Sequence, residues 1–275
     1  MLPDFIVIGA MKSGTTSLAR YLGAHPDVFY TRPREPRFFS DFHDTGLASY
    51  EALFADALPH QVKGEGSTNY SIAGLRPRVP ERIAAVCPDV RLVYLVRDPV
   101  ERIRSLYQHR LERKPDRRSI DRAVFEVPLY LESARYGAQL DAYLEHFDRE
   151  QILVISNERL RDERAALLAE VFAFLGVDPD YVPDNLDRTH NTGSDQRRMP
   201  APLTMVRGTL ARTPLLERVP VSAKRALRDR TMRRQQPGET VVSDELRARI
   251  HDTLRPDLQR FRQIVGPSFD VWGLA

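Results

Sequence analysis

A lysine lies among hydroxylated residues in a short turn near the start of the chain. Residues 9–16 read GAMKSGTT, with Lys12 between two glycines. An ammonium group, hydroxyls and backbone N–H groups are the donors that bind a phosphate-like anion, and a helix N-terminus favours negative charge. The lysine and the hydroxyls in one turn therefore favour phosphate binding over a turn that uses glycine for geometry alone.

The flanking residues predict the elements that position this turn. Residues 5–8 form a short apolar run rich in β-branched side chains, which is typical of a strand buried on both faces of a parallel sheet. From Thr15 onward, Leu18, Tyr21 and Leu22 recur at helical spacing. The turn is therefore expected between a buried strand and the N-terminus of a helix.

The turn differs from the Walker A loop of ATP-binding proteins. In a Walker A loop lysine directly follows the second glycine, whereas this chain has Thr15 there and its lysine earlier, at Lys12. A later apolar run, residues 91–96, is followed by Arg97, where a Walker B strand would end in an exposed aspartate. Both departures disfavour a P-loop kinase or NTPase, which remains the alternative enzyme.

The turn resembles the 5′-phosphosulfate-binding loop of sulfotransferases that use 3′-phosphoadenosine-5′-phosphosulfate (PAPS). Residues 23–39, GAHPDVFYTRPREPRFF, are also similar to that superfamily, especially to its bacterial and carbohydrate-type branches. The similar segments extend from Phe5 to about Arg197 and recur near the C-terminus. The resemblance implies that the donor is bound by Lys12, Ser13, Gly14, Thr15, Thr16 and Ser17.

Glu65 lies between two glycines in QVKGEGSTNYS, residues 61–71. A strand is expected to end near Val62, which places this carboxylate where open α/β sheets carry reactive groups. In the resembling carbohydrate-type enzymes a glutamate at this point is the catalytic base, which implies the same role for Glu65; a solvated loop carboxylate is the alternative. Ser67 and Tyr70 match the flanks of that motif, whereas Gly66 replaces a lysine that is often near the acceptor.

Arg97 and Ser105 form a second candidate site. Arg97 closes a predicted strand, and Pro99 opens a helix that carries Ser105. An arginine after a strand with a serine eight residues later resembles the family's 3′-phosphate-binding motif, and a guanidinium binds phosphate through two parallel hydrogen bonds. A salt-bridged arginine is the alternative for Arg97. Arg102 and Arg104 are expected to be exposed helix charges.

The chain is polar and then strongly basic after residue 186. Residues 187–199 resemble a loop that closes over the nucleotide in bacterial sulfotransferases, which implies that Arg197 contacts the 3′-phosphate or adenosine and that His190 is structural. Residues 197–234 hold eleven lysines and arginines against two acids. This excess predicts a basic helical lid at about 197–240 that attracts an anionic cofactor or acceptor. A solvated basic surface is the alternative.

The alternation of predicted strands and helices indicates the fold class. It predicts a three-layer α/β fold like that of P-loop NTPases, with a mostly parallel central sheet flanked by helices. The chain has 275 residues, of which 42% are hydrophobic. A core of ordinary size fits this length, so we expect a single sulfotransferase domain over residues 1–275.

Composition limits the compartment and the partners. No apolar run reaches the roughly 18 residues of a membrane span, and no signal-peptide pattern precedes the first strand. Cys87 is the only cysteine, so we expect a cytoplasmic protein with no intrachain disulfide and no metal. Nucleic-acid binding is not expected, because no aromatic interleaving or recognised module accompanies the basic segment. Peripheral membrane contact and the oligomeric state stay open.

Together these residues imply in-line transfer of a sulfuryl group from PAPS to a hydroxyl, or less readily an amine, of a carbohydrate, lipid or secondary metabolite. Lys12 would stabilise the leaving phosphate, and Glu65 would deprotonate the acceptor. A glutamate with a pKa of about 4.3 is a weak base for a hydroxyl. We expect burial to raise the pKa of Glu65 and nearby Lys12 to lower it. A noncatalytic protein that binds PAPS or its desulfated product (PAP) is the alternative outside enzymes.

Overall fold

The computed structural model of the protein describes residues 1–113, 118–184, 240–267, 269 and 272. The predictions for His190, for Arg197 and for a basic lid at about 197–240 lie outside the described residues. The extent of the single domain and the cytoplasmic location likewise stay predictions. None of the described helices is both long enough and apolar enough to cross a membrane.

Five strands form one sheet in which every pairing is parallel, in the order β2-β3-β1-β4-β5. The strands are β1 (Phe5–Gly9), β2 (Val28–Tyr30), β3 (Val62–Gly66), β4 (Arg91–Val96) and β5 (Ile152–Ser156). From β1 the chain adds β2 and β3 on one side and then crosses to β4 and β5 on the other. Connections that diverge in this way leave a crevice at the carboxyl ends of β1 and β4, where open α/β sheets bind ligands.

Helices cover both faces of the sheet. The described helices are α1 (Thr15–Leu22), α2 (Leu47–Glu51), α3 (Val79–Val86), α4 (Pro99–Arg113), α5 (Ile120–Glu126), α6 (Pro128–Glu132), α7 (Tyr136–Leu144), α8 (Asn157–Asp162), α9 (Arg164–Leu175) and α10 (Asp244–Val265). Short 3₁₀ turns occupy His43–Thr45, Ala52–Phe54 and Arg149–Gln151.

The alternation of strand side chains builds two cores. Phe5 and Val7 of β1 pack with apolar residues of α1, α8 and α9 on one face. Ile6 and Ile8 point the other way and pack with residues of α3, α4, α7 and α10. The period of two is the expected geometry of a strand covered on both faces. The predicted three-layer fold with a parallel sheet is confirmed.

Strand β3 differs from its predicted extent. Val62 begins this strand rather than ending it, and Glu65 lies inside it, opposite Ile6. Glycine has a low preference for strands, so the sequence KGEG did not indicate one. The structure shows why glycine is needed, because a Cβ atom at Gly64 would lie 2.0–2.3 Å from three atoms of the Phe5 ring.

Helix α10 is capped at its start and continues through a proline. The Ser243 hydroxyl accepts a hydrogen bond from the Leu246 N–H and caps the helix. Pro256 lies within the helix, which continues to Val265. The buried face of the helix holds it against α7, where Asp257 accepts hydrogen bonds from the N–H groups of Gly137 and Ala138.

We expect the Gly64→Ala substitution to lower the free energy of unfolding by about 1–3 kcal/mol, the usual cost of overpacking a core. The added methyl group would overlap the Phe5 ring. Urea unfolding followed by circular dichroism measures the loss. If the clash with Phe5 is the cause, Phe5→Leu/Gly64→Ala loses less stability than the sum of the single variants. Additive losses would contradict this account.

Candidate active site

The turn after β1 has the backbone of an anion-binding loop. Lys12 and Gly14 adopt positive φ angles of 71° and 97°, and α1 begins at Thr15. The first turn of α1 carries no acidic residue and Gly14 provides no side-chain cap. The N–H groups that open a helix have no carbonyl partner within it, so they are available to an anion.

The side chains of this turn add further donors. The Ser13 hydroxyl is buried and has no hydrogen-bond partner among the described residues. Lys12, Thr15, Thr16 and Ser17 are half-buried, so they are neither in the core nor fully in water. A cation, hydroxyls and helix N–H groups make a donor set that fits a phosphate or sulfate group. The residues present therefore fit the phosphosulfate part of PAPS.

Two residues from distant parts of the chain hold the turn in place. The Asn157 side chain donates a hydrogen bond of 2.8 Å to the Ser13 carbonyl, and Arg97 Nη1 lies 3.4 Å from the Lys12 carbonyl. A Cβ atom at Gly14 would lie 2.5 Å from Asn157 Nδ2, so glycine is needed for this close approach as well as for its φ angle. Sequence analysis missed Asn157, and the available signal was its position directly after β5.

Arg97 follows β4, as predicted, and its backbone is fixed from both sides. The Tyr136 hydroxyl donates to the Arg97 carbonyl at 2.7 Å, and Glu158 Oε1 accepts from the Asp98 N–H at 3.0 Å. The Arg97 side chain is 25% exposed, so it can reach a ligand. Ser105 is half-buried on α4, the helix that begins two residues after Arg97.

A carboxylate beside Arg97 is shared by three arginines. Glu101 lies 3.9 Å from Arg97, 3.0 Å from Arg104 and 3.3 Å from Arg247 of α10. Burial tends to raise the pKa of Glu101, but the arginines outweigh this effect and lower it. Three guanidinium groups therefore converge on one carboxylate beside Arg97.

Arg102 and Arg104 differ from the predicted exposed charges. Arg102 is wholly buried, and its Nη2 donates to the Tyr130 carbonyl at 2.8 Å. Arg104 is 31% exposed and pairs with Glu101. The prediction was wrong because α4 is covered by α6 on the side of Arg102, a contact that the spacing of charges along one helix does not reveal.

Glu65 lies in an enclosed polar pocket within an aromatic core. It is wholly buried, so the alternative of a solvated loop carboxylate was wrong. Tyr50 Oη donates to Oε1 at 3.2 Å, and Ser67 Oγ donates to Oε2 at 2.9 Å. Phe38 stacks on Tyr50 with ring centroids 4.4 Å apart. Both carboxylate oxygens thus accept hydrogen bonds, and no described residue forms an ion pair with Glu65.

Burial governs the acidity of Glu65. It raises the pKa of this carboxyl group to about 7, although hydrogen bonds from Ser67, Tyr70 and Tyr50 lower it, and the charge of Glu35 raises it further. The expected rise through burial is confirmed. The groups that lower the pKa of Glu65 are the three hydroxyls, whereas the sequence analysis expected Lys12 to lower it.

The segment 31–39 closes over this pocket. The Arg37 N–H donates to Ser67 Oγ at 2.9 Å, and the Phe39 N–H donates to Tyr70 Oη at 3.2 Å. Phe38 and Phe39 are buried, whereas Arg34 is exposed. The two phenylalanines anchor the segment and leave its arginines on the surface.

Most of the predicted site residues lie at or near the carboxyl ends of β3, β1 and β4, the three central strands of the sheet. The anion loop follows β1, Arg97 follows β4 and contacts that loop, and Glu65 lies on β3 in its own pocket. Arg197 lies outside the described residues. The described residues contain no cluster of three or more side chains suited to a metal ion.

Comparisons with known proteins agree with this arrangement. The sequence pattern of the family described as sulfotransferase domain matches residues 2–196. Human heparan sulfate glucosamine 3-O-sulfotransferase 3B1 is 34% identical over 185 residues, covering 64% of this chain and 46% of the relative. Mouse bifunctional heparan sulfate N-deacetylase/N-sulfotransferase 4 is 28% identical over 211 residues, covering 66% of this chain and 23% of the relative. The chain thus spans about half, or less, of the length of these curated relatives.

A solved structure shows the same fold. The crystal structure of a sulfotransferase from Alicyclobacillus acidocaldarius superposes with a TM-score of 0.72 and 23% identity, covering 99% of both chains. At this identity the similarity establishes the fold alone.

The raised pKa of Glu65 predicts a dependence of stability on pH. Stability that comes from the protonated carboxyl group is fully present below about pH 4.5 and is lost as the pH rises through about 7. Glu65→Gln keeps a neutral side chain, so its stability relative to the wild type should increase between pH 4.5 and 8. Urea unfolding at several pH values measures this difference. Glu145→Gln, on an exposed residue, is the control. A Glu65→Gln difference independent of pH would contradict the raised pKa.

Proposed function

The chain belongs to the sulfotransferase domain family, and from this premise we propose that it transfers a sulfuryl group from PAPS to a carbohydrate hydroxyl. The observation that carries the proposal is the contact between two phosphate-binding motifs. Arg97, after β4, reaches the carbonyl of Lys12 in the loop after β1. A donor with phosphate groups at both its 5′ and 3′ ends needs two anion sites close together, at the crevice of the sheet.

Each of the two motifs would bind a different part of the donor. The loop from Lys12 to Ser17 would bind the phosphosulfate through the lysine, the hydroxyls and the first N–H groups of α1. Arg97 and Ser105 would bind the 3′-phosphate, beside the carboxylate of Glu101 that Arg97 shares with Arg104 and Arg247. PAPS supplies a sulfuryl group whose bond to a phosphate oxygen breaks as the acceptor oxygen forms a new one.

Lys12 would stabilise charge in the transition state, and Glu65 would accept a proton. Lys12 would offset the negative charge that develops on the leaving phosphate. Glu65 would take the proton of the acceptor hydroxyl, and its pKa of about 7 suits a base that works near neutral pH. A hydroxyl now bound to the carboxylate, from Tyr50 or Ser67, would give way to the hydroxyl of the acceptor.

Access to Glu65 requires that its cover move. The carboxylate is wholly buried, and the segment 31–39 is tied to Ser67 and Tyr70 by two backbone N–H groups. The segment also accepts hydrogen bonds at the Arg34 carbonyl from the Gly66 N–H (3.3 Å) and at the Phe39 carbonyl from Arg82 (3.0 Å), and these bonds would break when the cover moves. We therefore place acceptor entry on this side of the sheet, beside β2 and β3.

The names of the relatives guide the choice of acceptor. They refer to a glucosamine 3-O-sulfotransferase and to an N-sulfotransferase, both acting on heparan sulfate. A saccharide hydroxyl is therefore the first acceptor to test and a saccharide amine the second. The structure gives no support to the kinase or NTPase alternative, because Arg97 directly follows β4, where a Walker B strand would end in an exposed aspartate.

Calorimetric titration with PAP tests the donor site. We expect micromolar binding to the wild type and about 10- to 100-fold weaker binding to Arg97→Ala, since a charge-assisted contact with phosphate is lost. Arg122→Ala, on a side chain that is 70% exposed and pairs with Glu126, should bind as the wild type does. Stabilisation by ATP and magnesium alone, without PAP binding, would instead support a kinase or NTPase.

Glu65→Gln separates binding from chemistry. PAP affinity should be retained, because Glu65 lies outside both phosphate motifs, while turnover should fall by about 10²- to 10⁴-fold for loss of a general base. Transfer of radiolabelled sulfate to a saccharide measures turnover, with Glu145→Gln as the control. Unchanged turnover would remove Glu65 from the mechanism. Absence of turnover in the wild type, with intact PAP binding, would favour the noncatalytic alternative.

A further inference from the structure

Asn157 is the first residue of α8, and its side chain contacts the loop after β1. The cap of α8 comes from Ser156, whose hydroxyl accepts a hydrogen bond from the Arg159 N–H at 3.2 Å. The Asn157 amide is therefore not used to cap its own helix, and it donates to the Ser13 carbonyl at 2.8 Å. The start of α8 thus determines where this carbonyl of the loop points.

The Ser13 carbonyl and the Gly14 N–H belong to one peptide unit. This unit is trans, so its C=O and N–H groups point in opposite directions. Because Asn157 holds the carbonyl on its own side, the Gly14 N–H is turned to the other side. A rotation of the unit by half a turn would exchange the two groups and bring a carbonyl oxygen to the place of the N–H.

The backbone around this peptide unit is one in which N–H groups converge. The φ angle is positive at Lys12 and Gly14 but not at Ser13 between them, and such alternation brings successive N–H groups together in a concave surface that binds anions. The Ser13 N–H is bound to the Ala10 carbonyl at 3.2 Å, so the next donor along the loop is the Gly14 N–H, beside those that open α1. A carbonyl oxygen in this place would repel an anion.

We propose that Asn157 is a positioning residue of the anion loop, which fixes the Ser13–Gly14 peptide with its N–H towards the phosphosulfate end of the donor. Asn157 acts through this peptide and not by touching the donor. The absence of a side chain at Gly14 makes the contact possible, because a Cβ atom there would lie 2.5 Å from Asn157 Nδ2. The inference rests on the proposed function, in which this loop binds the donor.

Asn157→Leu tests the hydrogen bond, because leucine has nearly the same shape as asparagine and cannot donate. We expect PAP to bind about 3- to 10-fold more weakly than to the wild type, as for loss of one neutral hydrogen bond. Asn157→Ala, which empties the space instead of filling it, should have the same effect. Gln61→Ala is the matched control, since it removes an amide that donates to the Pro26 carbonyl at 2.9 Å, next to the amino end of β3. This control should bind PAP as the wild type does.

Nuclear magnetic resonance observes the peptide itself. Residues 13 and 14 are the only serine–glycine pair in the sequence. Protein made by cell-free synthesis, with ¹³C at the serine carbonyl and ¹⁵N in glycine, therefore gives a single signal in a spectrum that links a carbonyl to the next N–H. We expect saturation with PAP to shift this signal in the wild type, and to shift it less in Asn157→Leu and Asn157→Ala.

The outcomes separate the inference from the proposed function. If PAP binds the wild type without shifting the signal, or binds both variants as tightly as the wild type, the inference is overturned and the proposed function stands. Weaker PAP binding by the variants with an undiminished shift of the signal indicates a general loosening of the fold, and this result also overturns the inference. If the wild type does not bind PAP, the proposed donor is wrong and the inference falls with it.

Discussion

The burial of one carboxylate is the constraint on which the rest of the site depends. Glu65 lies in the core and forms no ion pair with the part of the chain that the structure describes, and an unpaired charge in such a place is stable only when it is well hydrogen-bonded or protonated. Tyr50, Ser67 and Tyr70 supply hydroxyls to it, and the segment 31–39 is bound to two of these three residues. The effect of burial on the pKa of Glu65 outweighs that of these hydrogen bonds, so the pKa is about 7 and the carboxyl group can gain or lose a proton near neutral pH.

Glycine is required on both sides of Glu65 because larger residues would clash with neighbouring rings, and backbone flexibility is the lesser reason. Gly64 and Gly66 weaken the strand by their intrinsic preference, yet side chains at these positions would overlap Phe5 and Tyr30. Pairing with β1 and β2 compensates by holding the segment in register. The strand can therefore hold Glu65 within the sheet. The rings of Phe5 and Tyr30 lie on one face of the sheet, and the hydroxyls that bind Glu65 lie on the other.

Local patterns in the sequence predicted most of the elements and the anion loop. Apolar runs predicted β1 and β4, and the Lys12 turn was recognisable from residue types alone. The features that were missed depend on contacts between distant residues. Asn157 is 144 residues from the carbonyl it binds, and Arg102 is buried by a helix that begins 26 residues later. The extent of strand β3 was predicted wrongly because its glycines are required by the rings of Phe5 and Tyr30, which leave no room for side chains at positions 64 and 66. No pattern within residues 61–71 shows these contacts.

The two proposed phosphate-binding motifs are held by the same part of the chain. The loop after β1 is held by Asn157, which opens α8, and by Arg97, which follows β4. Glu158, next to Asn157, fixes the backbone beside Arg97 through the Asp98 N–H. The start of α8 thus positions both anion sites at once, although neither Asn157 nor Glu158 belongs to the motifs themselves. In the proposed binding mode, an anion that draws Arg97 away from the Lys12 carbonyl would release one of the two restraints on the loop, so occupancy of one proposed phosphate site would be coupled to the shape of the other.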